Sequence, residues 1–170
     1  MWKYTGQKRP DFAERPEPGQ ESVWDYPRPP KLESDHRRVE VYSGNNPVAT
    51  SADTFRVLET AAPPTFYIPP KDVKWDLLQP APGGSICEWK GTARYWALSS
   101  DPEAGVVGWS YSDPTPAFEQ IRNYIAFYPA GLACYISGER VRPQPGRFYG
   151  GWVTDDIIGP FKGAPGTENW

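Results

Sequence analysis

One histidine, His36, and two cysteines, Cys87 and Cys134, are the whole supply of imidazole and thiol in this chain of 170 residues. A structural zinc site draws four ligands mainly from these two residue types, so no zinc set can be assembled and no metal or cofactor is expected. Ser-His or Cys-His catalysis would have to use His36, which lies in a charged segment, and no GxSxG elbow is present. A P-loop and a GxGxxG are also missing. The two cysteines could close at most one bridge and read as free thiols of a reducing compartment. No run approaches the roughly 18 apolar residues of a membrane span, and "MWKYTGQKRPDF" lacks the apolar core of a signal peptide. The expected location is therefore cytoplasmic, without a membrane partner. A net charge of −3 provides no basic field for phosphate backbones, so no nucleic-acid partner is expected. "GGS" at Gly83 to Ser85 is not followed by a DxD pair, and Asp155 with Asp156 reads as a solvated acidic loop.

Proline (21) and glycine (16) are abundant instead. Together they make about 22% of the chain against a norm near 12%, and they interrupt every apolar run before a long helix develops. Aromatics at 15% supply enough burial for short strands to fold. The reading is one mainly β domain. Residues 1–36, rich in proline and charge, form an extended arm that Trp2, Trp24 and Tyr26 pin to the body. From Arg38 onward short strand-like runs follow: "RRVEVYS", "TFRVLET", "TFYI", "SICEW", "ARYWAL", "VVGWSY", "YIAFY" and "LACYIS". "SGNNP" (Ser43 to Pro47) and "SGE" (Ser137 to Glu139) read as hairpin turns. One short helix is expected near Pro116, capped by Asp113, with Phe118 and Ile121 inward. Residues 148–170, with Gly and Pro among aromatics, read as a tail packed on the domain.

Polar groups placed on apolar strands mark the candidate site. Strict alternation in "TFRVLET" aligns Phe55, Val57 and Glu59, so a carboxylate continues an apolar row and needs a partner. In "CEWKGTARYWAL" the same count aligns Lys90, Thr92, Arg94 and Trp96, opposite Ala93, Tyr95 and Ala97. A bulge would reverse part of that parity. Trp109 and Tyr111 form an aromatic face opposite Gly108 and Ser110, a bare face that invites close approach by a backbone or ligand.

"ESVWDYPRPP", "ADTFRVLETAAPPTFYIPPKDV", "CEWKGTARYWAL", "WSYSDPTP", "YIAFYP" and "FYGGWVTDDIIGPFKGAPGTENW", in this order, resemble the bacterial DUF427 family of unknown function, over roughly Glu21 to Trp170. The resemblance implies a compact β-tent-like domain of two small antiparallel sheets leaning over a concave face, here spanning residues 37–147. Related β-tent families use a zinc fastening or an aromatic cage. The cysteine set for zinc is missing, while Tyr67, Tyr95, Trp96 and Trp109 can supply a cage. The nucleotidyltransferase label that the family has carried lacks its metal acids here. The leading expectation is a small-molecule-binding domain with an aromatic-walled pocket. Its Glu59–Lys90 pair would orient a planar or cationic ligand, with Lys90 directed at Glu59. The alternatives are an enzyme using Lys90 or Glu59 in proton or group transfer, and an interaction module acting through the arm or tail.

Overall fold

Turn residues recur too often for any long helix, and the computed structural model, which describes residues 1–170, is built of strands of two to ten residues. In chain order they are β1 Glu21–Ser22, β2 Lys31–Asp35, β3 Val39–Ser43, β4 Asn46–Ser51, β5 Thr54–Leu58, β6 Thr65–Tyr67, β7 Leu78–Cys87, β8 Gly91–Leu98, β9 Asp101–Ser110, β10 Ile125–Phe127, β11 Ala133–Ile136, β12 Glu139–Arg140, β13 Arg142–Pro143, β14 Trp152–Val153 and β15 Ile157–Ile158. They form two four-stranded sheets, β10-β9-β8-β7 and β12-β11-β3-β4, the three-stranded sheet β2-β5-β6, and the pairs β13-β14 and β1-β15. No barrel closes. Several small sheets thus stand where two were expected, and β1 runs parallel to β15.

Both hairpin turns form where turn chemistry demands them. Ser137 and Gly138 have φ of 48° and 82°, the positive pair of a tight turn joining Ile136 to Glu139. Gly44, at φ 58°, starts the turn between Ser43 and Asn46. The helical content is four short 3-10 segments, the longest Pro116–Ile121. Phe118 and Ile121 are buried there, but the N-cap is Thr115, whose hydroxyl donates to the Trp89 carbonyl. Asp113 instead faces Arg122 at 3.5 Å. No helix is long and apolar enough to cross a membrane.

The stretch read as an extended arm contains a strand. β2 pairs with β5 along its length, from Lys31 opposite Leu58 to Asp35 opposite Thr54. "KLESD" has no apolar period, and charge sets its place: Arg56 on β5, almost fully buried, meets Glu21, Glu33 and Asp35. Before β2, Val23 and Trp24 are buried, and Trp24 packs edge-on against Tyr4, Phe12 and Trp170. Arm and tail therefore share one small core, while the main core gathers Val39, Val41, Phe66, Ile125, Phe127 and Trp152. In the tail Trp152 stacks on Phe66 at 5.1 Å and donates to the Phe127 carbonyl, whereas Phe148 stays 70% exposed. Reciprocal hydrogen bonds between Ile68 and Ile125 tie the β2-β5-β6 sheet to the β10-β9-β8-β7 sheet along one side.

Candidate functional site

Between those two sheets lies a cavity of about 360 Å³. Alternation along β5 turns Val57 and Glu59 into it, while Arg56 and Leu58 face away. β6 contributes Tyr67, β8 Tyr95 and β9 Trp109, with Tyr111 and Tyr128 completing the aromatic wall. The Trp109 indole donates to the Tyr67 hydroxyl at 3.1 Å and meets its ring edge-on. Burial raises Tyr67 and Tyr111 well above the ordinary phenol value, so both remain neutral donors and acceptors. The tail closes over this wall: a Cβ at Gly150 would lie 2.3 Å from the Trp109 ring, so only glycine lets the backbone pass. A free, half-buried thiol, Cys87, lines the same space. The other thiol, Cys134, lies in the main core, where burial pushes it up to about 12.

Five of the six candidate residues, Glu59, Tyr67, Lys90, Tyr95 and Trp109, border the cavity. Trp96 does not. Its ring packs on Trp75 at 5.0 Å and its indole donates to Ser110 on the far face of the sheet. Gly108, on that same face, is approached by the Ala126 carbonyl at 2.6 Å from where its Cβ would be. Backbone and indole thus fill the bare face read from the sequence.

Lys90 and Trp96 share a parity by simple counting, yet they part company. Gly91 takes φ 109°, a value open to glycine, and the turn before β8 brings Lys90 to the Tyr95 side. Nor does Lys90 meet Glu59. Its ammonium stands 6.0 Å from the ring centres of both Tyr111 and Phe118, with no carboxylate in salt-bridge range. The cation on Glu59 is Arg28, whose side chain is 2% exposed. Arg28 donates from Nε to Glu59, from Nη1 to the Tyr4 carbonyl and from Nη2 to the Thr60 carbonyl. A rigid arginine fork suits this threefold acceptor set better than a lysine point charge.

Two further groups were not read from the sequence as site residues. Trp2 lines the cavity from the arm, donates to Glu88 and carries two cations on its ring, Arg28 at 4.2 Å and Lys162 at 4.0 Å. Lys162 is 4% exposed, and its ammonium has neither a carboxylate within 4 Å nor a hydrogen-bond acceptor. Its backbone is held by an N–H bond to Ala61 and by Gln144, which donates to its carbonyl. Burial lowers its pKa from the ordinary lysine value, Arg28 adds to this, and Glu59, Glu168 and Glu88 oppose it. Cation–π contact with Trp2 returns about 0.5–2 kcal/mol. The sequence did carry one signal for it: a lone cation in the glycine-bounded aromatic run "GPFKG".

No group of three or more His, Cys, Asp or Glu side chains is placed to hold a metal ion. Asp155 and Asp156 are met by Arg142 and Arg37 respectively. His36 lies exposed beside Asp53. A family model described as a domain of unknown function (DUF427) matches residues 31–138, well over half of the chain. No curated protein matches the chain.

Proposed function

The chain belongs to the DUF427 family, whose description assigns no activity, and from that premise we propose that it is a small-molecule-binding domain. One observation carries the reading: the cavity of about 360 Å³ between two sheets, walled by Tyr67, Tyr95, Trp109 and Tyr111 and bordered by Glu59, Lys90 and Lys162. Ligand pockets generally begin near 300 Å³ and combine apolar walls with a few polar groups that fix orientation. The tent-like arrangement of the two sheets, leaning together from their Ile68–Ile125 edge, gives such a pocket stiff walls. Packing of arm and tail against the body, with the cavity left open, favours this reading over an interaction module acting through its termini. The reading as an enzyme using Lys90 or Glu59 in proton or group transfer is less favoured for Glu59, whose carboxylate Arg28 holds.

Native mass spectrometry of protein purified from its own host tests the proposal. The expected result is a small mass retained by the folded chain, released on denaturation and missing from Trp109→Ala. Equal retention by that variant, or no retained mass together with no saturable binding of any aromatic small molecule, would overturn it.

A further inference from the structure

The other strongly buried side-chain cations, Arg28 and Arg56, are both paired with carboxylates, although Arg56 Nε makes no hydrogen bond. Arg28 spends its donors on Glu59 and two carbonyls, and Arg56 on Glu21 and Glu33. Lys162 alone brings three N–H donors into the cavity and leaves them without a partner, facing the rings of Trp2 at 4.0 Å and Tyr149 at 5.4 Å. The ammonium is open to the cavity, where an acceptor entering from solvent can pair with it. The two carboxylates that border the cavity are engaged elsewhere, Glu59 by Arg28 and Glu88 by the Trp2 indole N–H, and neither comes within salt-bridge range of Lys162. Lys90, the other cation of the cavity, also lacks a carboxylate partner and sits over Tyr111 and Phe118.

We infer that the cavity takes a planar anion, its acidic oxygens paired with Lys162 and its unsaturated body laid against Trp109 and Tyr95. This rests on the reading of the cavity as a binding site and names the ligand class. A cationic ligand, the other class the aromatic walls admit, would add a positive charge beside two that already have no carboxylate. A carboxylate or sulfonate on a ring system instead satisfies the orphan donors and places a flat face on the aromatic wall. Burial and Arg28 disfavour the charged form of Lys162, and an anion in the cavity would offset both.

Two dyes of one ring system separate the charge from the pocket. 8-Anilinonaphthalene-1-sulfonate and N-phenyl-1-naphthylamine, which lacks the sulfonate, are titrated into the full chain and into Lys162→Met and Lys162→Arg. Circular dichroism confirms the fold of each. The sulfonate should bind one per chain and lose at least tenfold in affinity in Lys162→Met. It should keep most of its affinity in Lys162→Arg, while the neutral dye changes less than twofold throughout. Equal affinity of the two dyes for the unmodified chain, or no loss in Lys162→Met, overturns the anion assignment and leaves the pocket standing. Saturable binding of neither dye overturns the pocket as well. Should Lys162→Met not fold, the comparison of the two dyes on the unmodified chain decides.

Discussion

Arg28 and Lys90 divide between them the roles that one lysine was expected to fill. Arg28 is the buried partner of Glu59 and also fastens the arm through the Tyr4 carbonyl, so Arg28→Met strands a carboxylate and two carbonyls at once. Breaking a buried pair from one side costs about 3–5 kcal/mol, and the lower end applies because Glu59 keeps 23% of its side-chain surface in water. In a chain of this length that is a fall in Tm of roughly 6–12 °C. Lys90→Met, which breaks no ion pair, should cost less than about 0.5 kcal/mol. Thermal melts of the two variants check this, and equal losses would return Glu59 to Lys90. Trp96 lies opposite Tyr95, as alternation along β8 has it, so the two cannot share one cage, whereas the turn at Gly91 takes Lys90 off the Trp96 face and onto the Tyr95 side.

At the scale of elements, the arm and the tail are one unit. β1 and β15 pair in parallel, Phe12 stacks on Trp170 at 5.1 Å, and Lys3 donates to the Asn169 carbonyl. Removing residues 1–12 takes Tyr4 and Phe12 from this cluster and Trp2 from the cavity. Phe12 is already 46% exposed, so the loss is only part of two full burials, about 2 kcal/mol, or roughly 4–8 °C in Tm. An unchanged melting temperature would show that the arm is not docked in solution. The sequence offered the aromatics of the arm but not the strand within it: β2 forms because Glu33 and Asp35 reach Arg56, and "KLESD" has no apolar alternation to announce a strand.

Across the whole molecule, burial sets the response to alkali. Tyr26, Tyr67 and Tyr111 are each raised above the ordinary 10.0, burial being the largest cause in all three. The folded chain keeps protons that the unfolded chain releases, so their contribution is intact below about pH 10 and is lost as pH rises above it. Lys162, lowered by burial, acts in the opposite sense as a single group. Tm should therefore hold steady up to about pH 9.5 and fall beyond pH 10. The 295 nm absorbance of these phenolates should appear only on unfolding. Ionisation of all ten tyrosines near pH 10 with the fold intact would contradict this burial.

The sequence by itself determined the class of fold, both hairpin turns, the inward row of Val57 and Glu59, and the aromatic face of Trp109 and Tyr111. Each of these depends on neighbours a few residues apart, through turn chemistry or the two-residue period of a strand. Only the tertiary structure decided who meets whom inside the cavity. Trp2, Arg28, Glu59 and Lys162 stand together although they are spread along the chain from residue 2 to residue 162, and no local pattern relates them. Their meeting depends on how the arm and the tail close over the sheets, a matter of long-range packing and of which buried charge finds an acceptor. Local alternation could show that Glu59 needed a cation. Arg28 was chosen because the folded chain brings its fork to three acceptors at once, and Lys162 was left without one.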